Sequence, residues 1–427
     1  MSEPEFAFVS SILTLGGLLG ALSVGPVTSR SGRLPTMRIA TIASILGGCL
    51  KALASSLSVL ILGRFLSGID AGLSLVLVPL YISEIAPPEC KGLFGASTQI
   101  AINIGIFLAL LLGYFFGESW KWRIILAAGA GIAALQGFAL CFVLESPAWI
   151  AMYRDHGAAV RLLQHIRGHA VDLDAEIQAW NIPQETGDPE FETLLSEQQY
   201  GTTSINPEAK HTLQIDFLEV AVNPLYRRAL IAVIGLMLTQ QLTGINAVTM
   251  YSVTLLSSLL PTTSILLTIL LSLVNLLITI LCAPLPDILG RKPTLLLSTS
   301  GMGLSSLSLA FSMLFNRKLL SALSTLLFVA SFGVGIGAIP LMLASELVDR
   351  EASAATQSWA LAANWIAIFT VAQFCPLVNE ALNARFGGSG WVFFVFAAIA
   401  GLAVVFVVCL VPETKGKKNA DEVWVRT

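Results

Sequence analysis

The sequence predicts an all-α membrane protein, with eleven transmembrane helices in two bundles of five and six joined by a polar bridge. Three observations predict it. Hydrophobic residues make up 55% of the 427-residue chain and charged residues only 12%, with a mean hydropathy of +0.79. A water-soluble domain carries about 25% charged residues, so most of this surface does not face water. Apolar runs of the roughly 20 residues needed to cross a hydrocarbon core about 30 Å thick recur from end to end. Finally, the two halves carry the same short polar motifs in matching places.

The first five spans are expected at 6–28, 36–56, 58–85, 93–115 and 124–144, bounded by glycine, proline and charged residues. The opening run is too long for the apolar core of a cleavable signal, and residues 1–5 are acidic rather than basic. Residues 1–144 thus form an N-terminal bundle, followed by a bridge over 145–228 that holds nearly half of the 27 acidic residues. In the bridge, Ala159, Leu162, Leu163 and Ile166 have helical spacing, whereas proline, glycine and hydroxyl clusters around 181–206 read as irregular loop. Six more spans are expected at 229–251, 263–285, 293–315, 319–345, 352–378 and 391–411, giving a C-terminal bundle over 229–411 and a tail over 412–427. Basic residues gather beside Arg30 and Arg33, at Lys91, in the bridge, at Arg291 and Lys292, at Arg350 and in the tail. The positive-inside rule then puts that side, and the C-terminus, in the cytoplasm.

Composition also narrows the chemistry. A net charge of -3 offers nucleic acid no attraction. The six cysteines are scattered without metal spacing, and the four histidines all fall in the bridge. No nucleophile–base set or metal cluster stands in the spans, so neither an enzyme nor a bound metal or cofactor is expected.

Two motifs repeat. Gly25-Pro-Val-Thr-Ser-Arg-Ser-Gly-Arg33 follows the first span, and Ala283-Pro-Leu-Pro-Asp-Ile-Leu-Gly-Arg-Lys292 follows the seventh. Downstream, Pro79…Ser83-Glu84 is echoed by Pro340…Ser345-Glu346, 51 residues after Arg33 and 55 after Arg291. Arginine offers a fork of donors that suits carboxylates. Arg33, Glu84, Asp287, Arg291, Glu346 and Glu145 are therefore expected to form a gate on the cytoplasmic side, holding the bundles together in one state and releasing them in another. Each arginine could equally be an ordinary positive-inside anchor; the matched intervals favour the gate. On this register the first half is one helix short.

Six amides, Gln99, Gln240, Gln241, Asn246, Asn275 and Asn364, lie in otherwise apolar spans. Facing lipid they would be costly, so they must face a cavity or another helix. A neutral polyhydroxyl ligand needs paired donors and acceptors without charge, and amides supply both. Interhelical hydrogen bonding explains a single amide as well; three on one span, Gln240, Gln241 and Asn246, favour a site.

In order along the chain stand Gly63-Arg-Phe-Leu-Ser-Gly-Ile-Asp-Ala-Gly72, Pro79-Leu-Tyr-Ile-Ser-Glu-Ile-Ala-Pro87, Glu145-Ser-Pro147, Gln240-Gln-Leu-Thr-Gly-Ile-Asn246, Asp287-Ile-Leu-Gly-Arg-Lys292, Asn364-Trp365 and Pro412-Glu-Thr-Lys-Gly416. With these the chain resembles the sugar porter family of the major facilitator superfamily over essentially its whole length. The resemblance implies two bundles with short intracellular helices in the bridge, and transport of a small neutral sugar or polyol across a lipid bilayer by alternating access, passively or with protons. It implies that the six amides contact the sugar and that Phe332 and Trp365 line the pocket. The membrane could be the plasma membrane or an internal one.

Departures from the family pattern include Ser29, Lys91, Ala148 and Ser353 where gate residues are usual, Leu341 for a tryptophan, and Gly333 for the glutamate of glucose facilitators. Asp70 is an unusual charge inside the third span. The family's first helix has no counterpart before 6–28. The thinned gate and short first half point to the competing reading, a non-transporting sensor-like or inactive truncated relative. The amides and the short tail point to a transporter.

Overall fold

A computed structural model of the protein describes residues 3–87, 91–117, 119–168, 173, 176–177, 217–249, 264–417 and 420–424, and every regular element among them is a helix. The first half gives α1 (Glu3–Ser31), α2 (Arg33–Ala52), α3 (Leu57–Ile85), α4 (Lys91–Phe116) and α5 (Trp122–Ala139). The expected bridge holds α6 (Pro147–Tyr153), α7 (His156–Arg167) and α8 (Phe217–Val222). The second half gives α9 (Pro224–Leu242), α10 (Ser264–Cys282), α11 (Leu285–Leu289), α12 (Arg291–Leu314), α13 (Lys318–Val334), α14 (Ile339–Glu346), α15 (Arg350–Phe386), α16 (Trp391–Leu410) and the short α17 (Ala420–Trp424). The bridge helix expected from apolar spacing is α7, capped by the Asp155 carboxylate, which accepts from Gly157 N and Ala158 N, with Ala159 and Leu163 on its buried face. The irregular loop expected around 181–206 lies outside the described residues.

Among the described residues ten helical spans are long and apolar enough to cross a membrane, so the protein is a multi-pass integral membrane protein. The expected count of eleven differs by α2. This helix carries Arg33, Arg38 and Lys51 and does not meet the same measure. It is nonetheless packed between α3 and α5.

Two expected spans are broken rather than continuous. The stretch 229–251 is α9 followed by a turn at Thr243 and Gly244 and a second helical stretch, 245–249. Gly244 has φ +95°, a left-handed conformation that residues with a side chain rarely adopt. The stretch 319–345 is α13 and α14 separated by 335–338, where two glycines meet a helix that restarts with Pro340 in its first turn. Breaks at this depth are tolerated because the freed backbone groups find partners inside the protein.

The buried apolar side chains form two cores. One gathers Leu236, Met302, Phe328, Leu343 and their neighbours from the second half. The other gathers Ala21, Val24, Met37, Leu73 and Leu77 from the first half, with Leu361 and Trp365 of α15. In the second core α1 and α3 cross at close range. A methyl group on Gly20 would overlap the carbonyl oxygen of Ile69, and one on Gly72 would overlap that of Gly17. Small residues at four-residue spacing let the backbones touch where hydrophobic burial supplies no driving force between helices in lipid. The halves meet mainly through α1 against α15 and α4 against α10.

Candidate functional site

A cavity of about 230 Å³ lies between the halves, lined from α4 on one side and from α9, the 245–249 stretch, α10, α13 and α15 on the other. All six amides expected from the sequence line it: Gln99, Gln240, Gln241, Asn246, Asn275 and Asn364. Phe332 lines it as well, and so does Leu341. Among the described residues no charged side chain does.

The amides form two networks. In the first, Asn246 Nδ2 donates to Gln241 Oε1 at 2.7 Å, Gln241 Nε2 to Asn364 Oδ1 at 3.4 Å, and Asn364 Nδ2 to Gln240 Oε1 at 2.8 Å. Gln240 Nε2 completes the chain by donating to the carbonyls of Ile336 at 2.7 Å and Gly337 at 3.1 Å. Those carbonyls are free to accept because α13 stops short of them, so the helix break and the amide network hold each other in place.

The second network depends on a residue the sequence reading passed over. Asn103, one turn after Gln99 on α4, is 2% exposed and lines the same cavity. Its Oδ1 accepts from Gln99 Nε2 at 3.2 Å and Asn275 Nδ2 at 3.3 Å, and its Nδ2 donates to Thr279 Oγ1 at 2.8 Å. It thereby ties α4 of the first half to α10 of the second. The signal was its position four residues beyond Gln99, on the same helix face. Asn275 Oδ1 is buried with no hydrogen-bond partner, an acceptor left open toward a donor. Gly333 makes room there, since a methyl group on it would come within 3.0 Å of that oxygen.

Trp365 is not among the lining residues. It follows Asn364 by one position, which turns it about 100° around the helix. Its ring lies against Gly17 of α1, where a side chain on that glycine would collide with the indole. It is part of the packing between the halves. Asp70 also falls outside the cavity and accepts a hydrogen bond from Ser74 Oγ at 3.1 Å.

The six residues expected to form a gate cluster in two places built to one plan. Arg33 opens α2 and donates to Glu84, near the end of α3, with Nη2 to Oε1 at 2.7 Å and side chains only 3% and 9% exposed. Arg291 opens α12, donates to Glu346, at the end of α14, at 3.0 Å, and forms an ion pair with Asp287 Oδ1 at 3.0 Å. Each helix start is capped by a carboxylate from far along the chain. Glu145 accepts from Arg33 N at 3.1 Å and Leu34 N at 3.2 Å. Glu413 accepts from Arg291 N at 2.9 Å and Lys292 N at 3.0 Å. Carboxylates belong there, because the free N–H groups of a helix start carry partial positive charge. The preceding glycines, Gly32 with φ +96° and Gly290 with φ +103°, satisfy the backbone, and any side chain on them would strike the capping carboxylate. Glu413 was missed in the sequence, although Pro412-Glu-Thr stands to the second half as Glu145-Ser-Pro stands to the first. Each ion pair joins helices of the same half, the partners that the matched intervals indicated, so neither pair by itself ties the two bundles together as expected of a gate. What they fix directly is α2 to α3, and α12 to α14.

Comparison with known proteins adds independent findings. The family model described as Sugar (and other) transporter matches residues 2–424. A Probable metabolite transport protein of Saccharomyces cerevisiae is 30% identical over 99% of this chain and 83% of its own length. The Probable polyol transporter 4 of Arabidopsis thaliana is 31% identical over 98% of this chain and 77% of its own. The facilitated glucose transporter member 3 of solute carrier family 2 from Rattus norvegicus is 30% identical over 96% and 80%. Among solved structures, the proton:xylose symporter XylE bound to 6-bromo-6-deoxy-D-glucose superposes with a TM-score of 0.82 at 24% identity, over 99% of this chain and 91% of that one. The major facilitator fold follows.

Proposed function

The chain belongs to the Sugar (and other) transporter family, and on that premise we propose that it carries a monosaccharide or polyol across its membrane by alternating access. The observation that carries the reading is the uncharged, amide-lined cavity between the halves. Each amide offers a donor and an acceptor, the complement of a vicinal pair of hydroxyls, and no fixed charge demands a counter-ion. Without solute the amides satisfy one another. A sugar entering the cavity exchanges those bonds for bonds to its hydroxyls, and gives Asn275 Oδ1 the donor it lacks.

Asn246 sits beyond the break at Gly244 while its partner Gln241 sits before it. A sugar that engages both amides therefore pulls the 245–249 stretch toward the rest of the site, which links binding to closure. At the other end of the spans, the two arginine–glutamate clusters keep each half rigid as the halves tilt. We place that end, and the C-terminus, in the cytoplasm because basic residues concentrate there. Residues 1–144 and 229–411 act as the two moving bundles, with 145–228 as the bridge.

The test is uptake by proteoliposomes of radiolabelled hexoses, pentoses and polyols supplied one at a time, with and without a proton gradient. We expect saturable uptake of at least one, competed by its unlabelled form. Protein that inserts correctly yet moves none of them refutes the reading.

A further inference from the structure

The 245–249 stretch has a cavity on each side. Ile245, Asn246 and Thr249 line the sugar-site cavity, whereas Ala247, on the opposite side at about 100° per residue, lines a second one of about 120 Å³. This second cavity lies at the far end of the spans from the ion pairs. Met313, in the last turn of the helix that Arg291 opens, lines it, as do the first residues of α16, whose other end leads to Glu413.

Its chemistry is distinct. Asn379 and Asn383, four apart on α15, and Ser389 give a polar edge, while Phe393 and Phe396 give an aromatic wall. Among the described residues no charged side chain lines it. Asn383 Oδ1 is buried without a partner among the described residues, an acceptor open to a donor. The complement is an uncharged molecule with a ring-sized apolar body and a hydroxyl donor.

The cavity also touches the hinge. Phe396 lines it and lies directly against Gly244, where a side chain would overlap the ring. For the 245–249 stretch to swing away from the sugar site, Ala247 must move into the second cavity. We propose that this cavity binds a small neutral ring alcohol, and that the occupant wedges the stretch against the sugar site and slows transport. The binding claim stands apart from the transport reading; the slowing rests on it.

The probe is benzyl alcohol, with a diazirine-bearing benzyl alcohol as its photoreactive form, applied to the full chain in lipid bilayers. We expect adducts concentrated on the α15 and α16 residues around Asn383, Phe393 and Phe396. Unlabelled benzyl alcohol at a few times its Kd should reduce them about fivefold. In proteoliposomes the alcohol should slow sugar exchange by wild type about fivefold, and Asn383→Leu should retain exchange but lose this sensitivity. Adducts spread over lipid-facing helices and indifferent to competitor mean partition into the bilayer and overturn the proposal. Equal slowing of wild type and Asn383→Leu overturns it too. Absence of sugar exchange in both proteins counts against the transport reading alone, and the competition result then decides the cavity.

Discussion

At the scale of single residues, the site was legible wherever side-chain type was enough. An amide in an apolar span has few places to go, and all six converge on one cavity. Phe332, expected only from the family resemblance, lines the cavity as well. Trp365 does not: a large aromatic beside a site residue looks alike in sequence whether it faces the solute or, as here, a glycine of the opposing helix. Asn103 was overlooked although it carries three hydrogen bonds. Two predictions separate the roles of these amides. Gln241→Ala should lower sugar affinity about tenfold, since a buried group left without its partner costs roughly 1–3 kcal/mol, while leaving membrane insertion intact. Asn103→Leu takes the acceptor from Gln99 Nε2 and Asn275 Nδ2 and a donor from Thr279 Oγ1, and so removes a tie between α4 and α10. It should therefore lower both sugar affinity and the melting temperature in detergent, where Gln241→Ala lowers chiefly affinity. Wild-type melting of Asn103→Leu would mean that the α4–α10 tie contributes nothing to stability.

At the scale of elements, hydropathy located the helices but could not see where they break. The stretches 229–251 and 319–345 are predominantly apolar without a charge in their interior, and their interruptions depend on one backbone conformation at Gly244 and on two glycines before Pro340. The break at 335–338 supplies the backbone carbonyls that hold Gln240, and the one at Gly244 separates Asn246 from Gln241, so the features least visible in the pattern are those the site uses. Glycines elsewhere divide by what they face. Gly72 meets the carbonyl oxygen of Gly17 at the α1–α3 crossing, whereas Gly105 on α4 has nothing within 4 Å of where a side chain would begin. Gly72→Leu should prevent α1 from docking and yield little folded protein. Gly105→Leu should be tolerated, within about 0.5 kcal/mol as for substitutions away from packed features. Fluorescence-detected size-exclusion profiles of the two variants check this: a monodisperse Gly72→Leu peak matching wild type in height would contradict the close crossing.

At the scale of the whole molecule, the repeat seen in two loops proves to organise each half. Arg33, Glu84 and Glu145 correspond to Arg291, Glu346 and Glu413, each set fastening the start of one helix to the end of another and to the end of its half. The intervals of 51 and 55 residues were legible and so were the partners within each half; that the pairs fasten helices of one half and not the halves to each other was not, because spacing along a chain carries no information about what a paired side chain packs against. This placement makes a prediction that a gate of pairs bridging the halves would not. Removing one partner of a nearly buried ion pair leaves the other charge uncompensated, at about 3–5 kcal/mol. Arg33→Gln and Glu84→Gln should each be strongly destabilising, and the double variant should cost clearly less than their sum, because the second change removes the charge the first left stranded. Arg33→Gln combined with Glu346→Gln touches two separate clusters and should add within roughly 0.5 kcal/mol, as distant sites do. Urea or thermal unfolding of the three single and two double variants in one detergent supplies both cycles. Strong coupling between Arg33 and Glu346, matched by weak coupling between Arg33 and Glu84, would place the ion pairs across the halves after all.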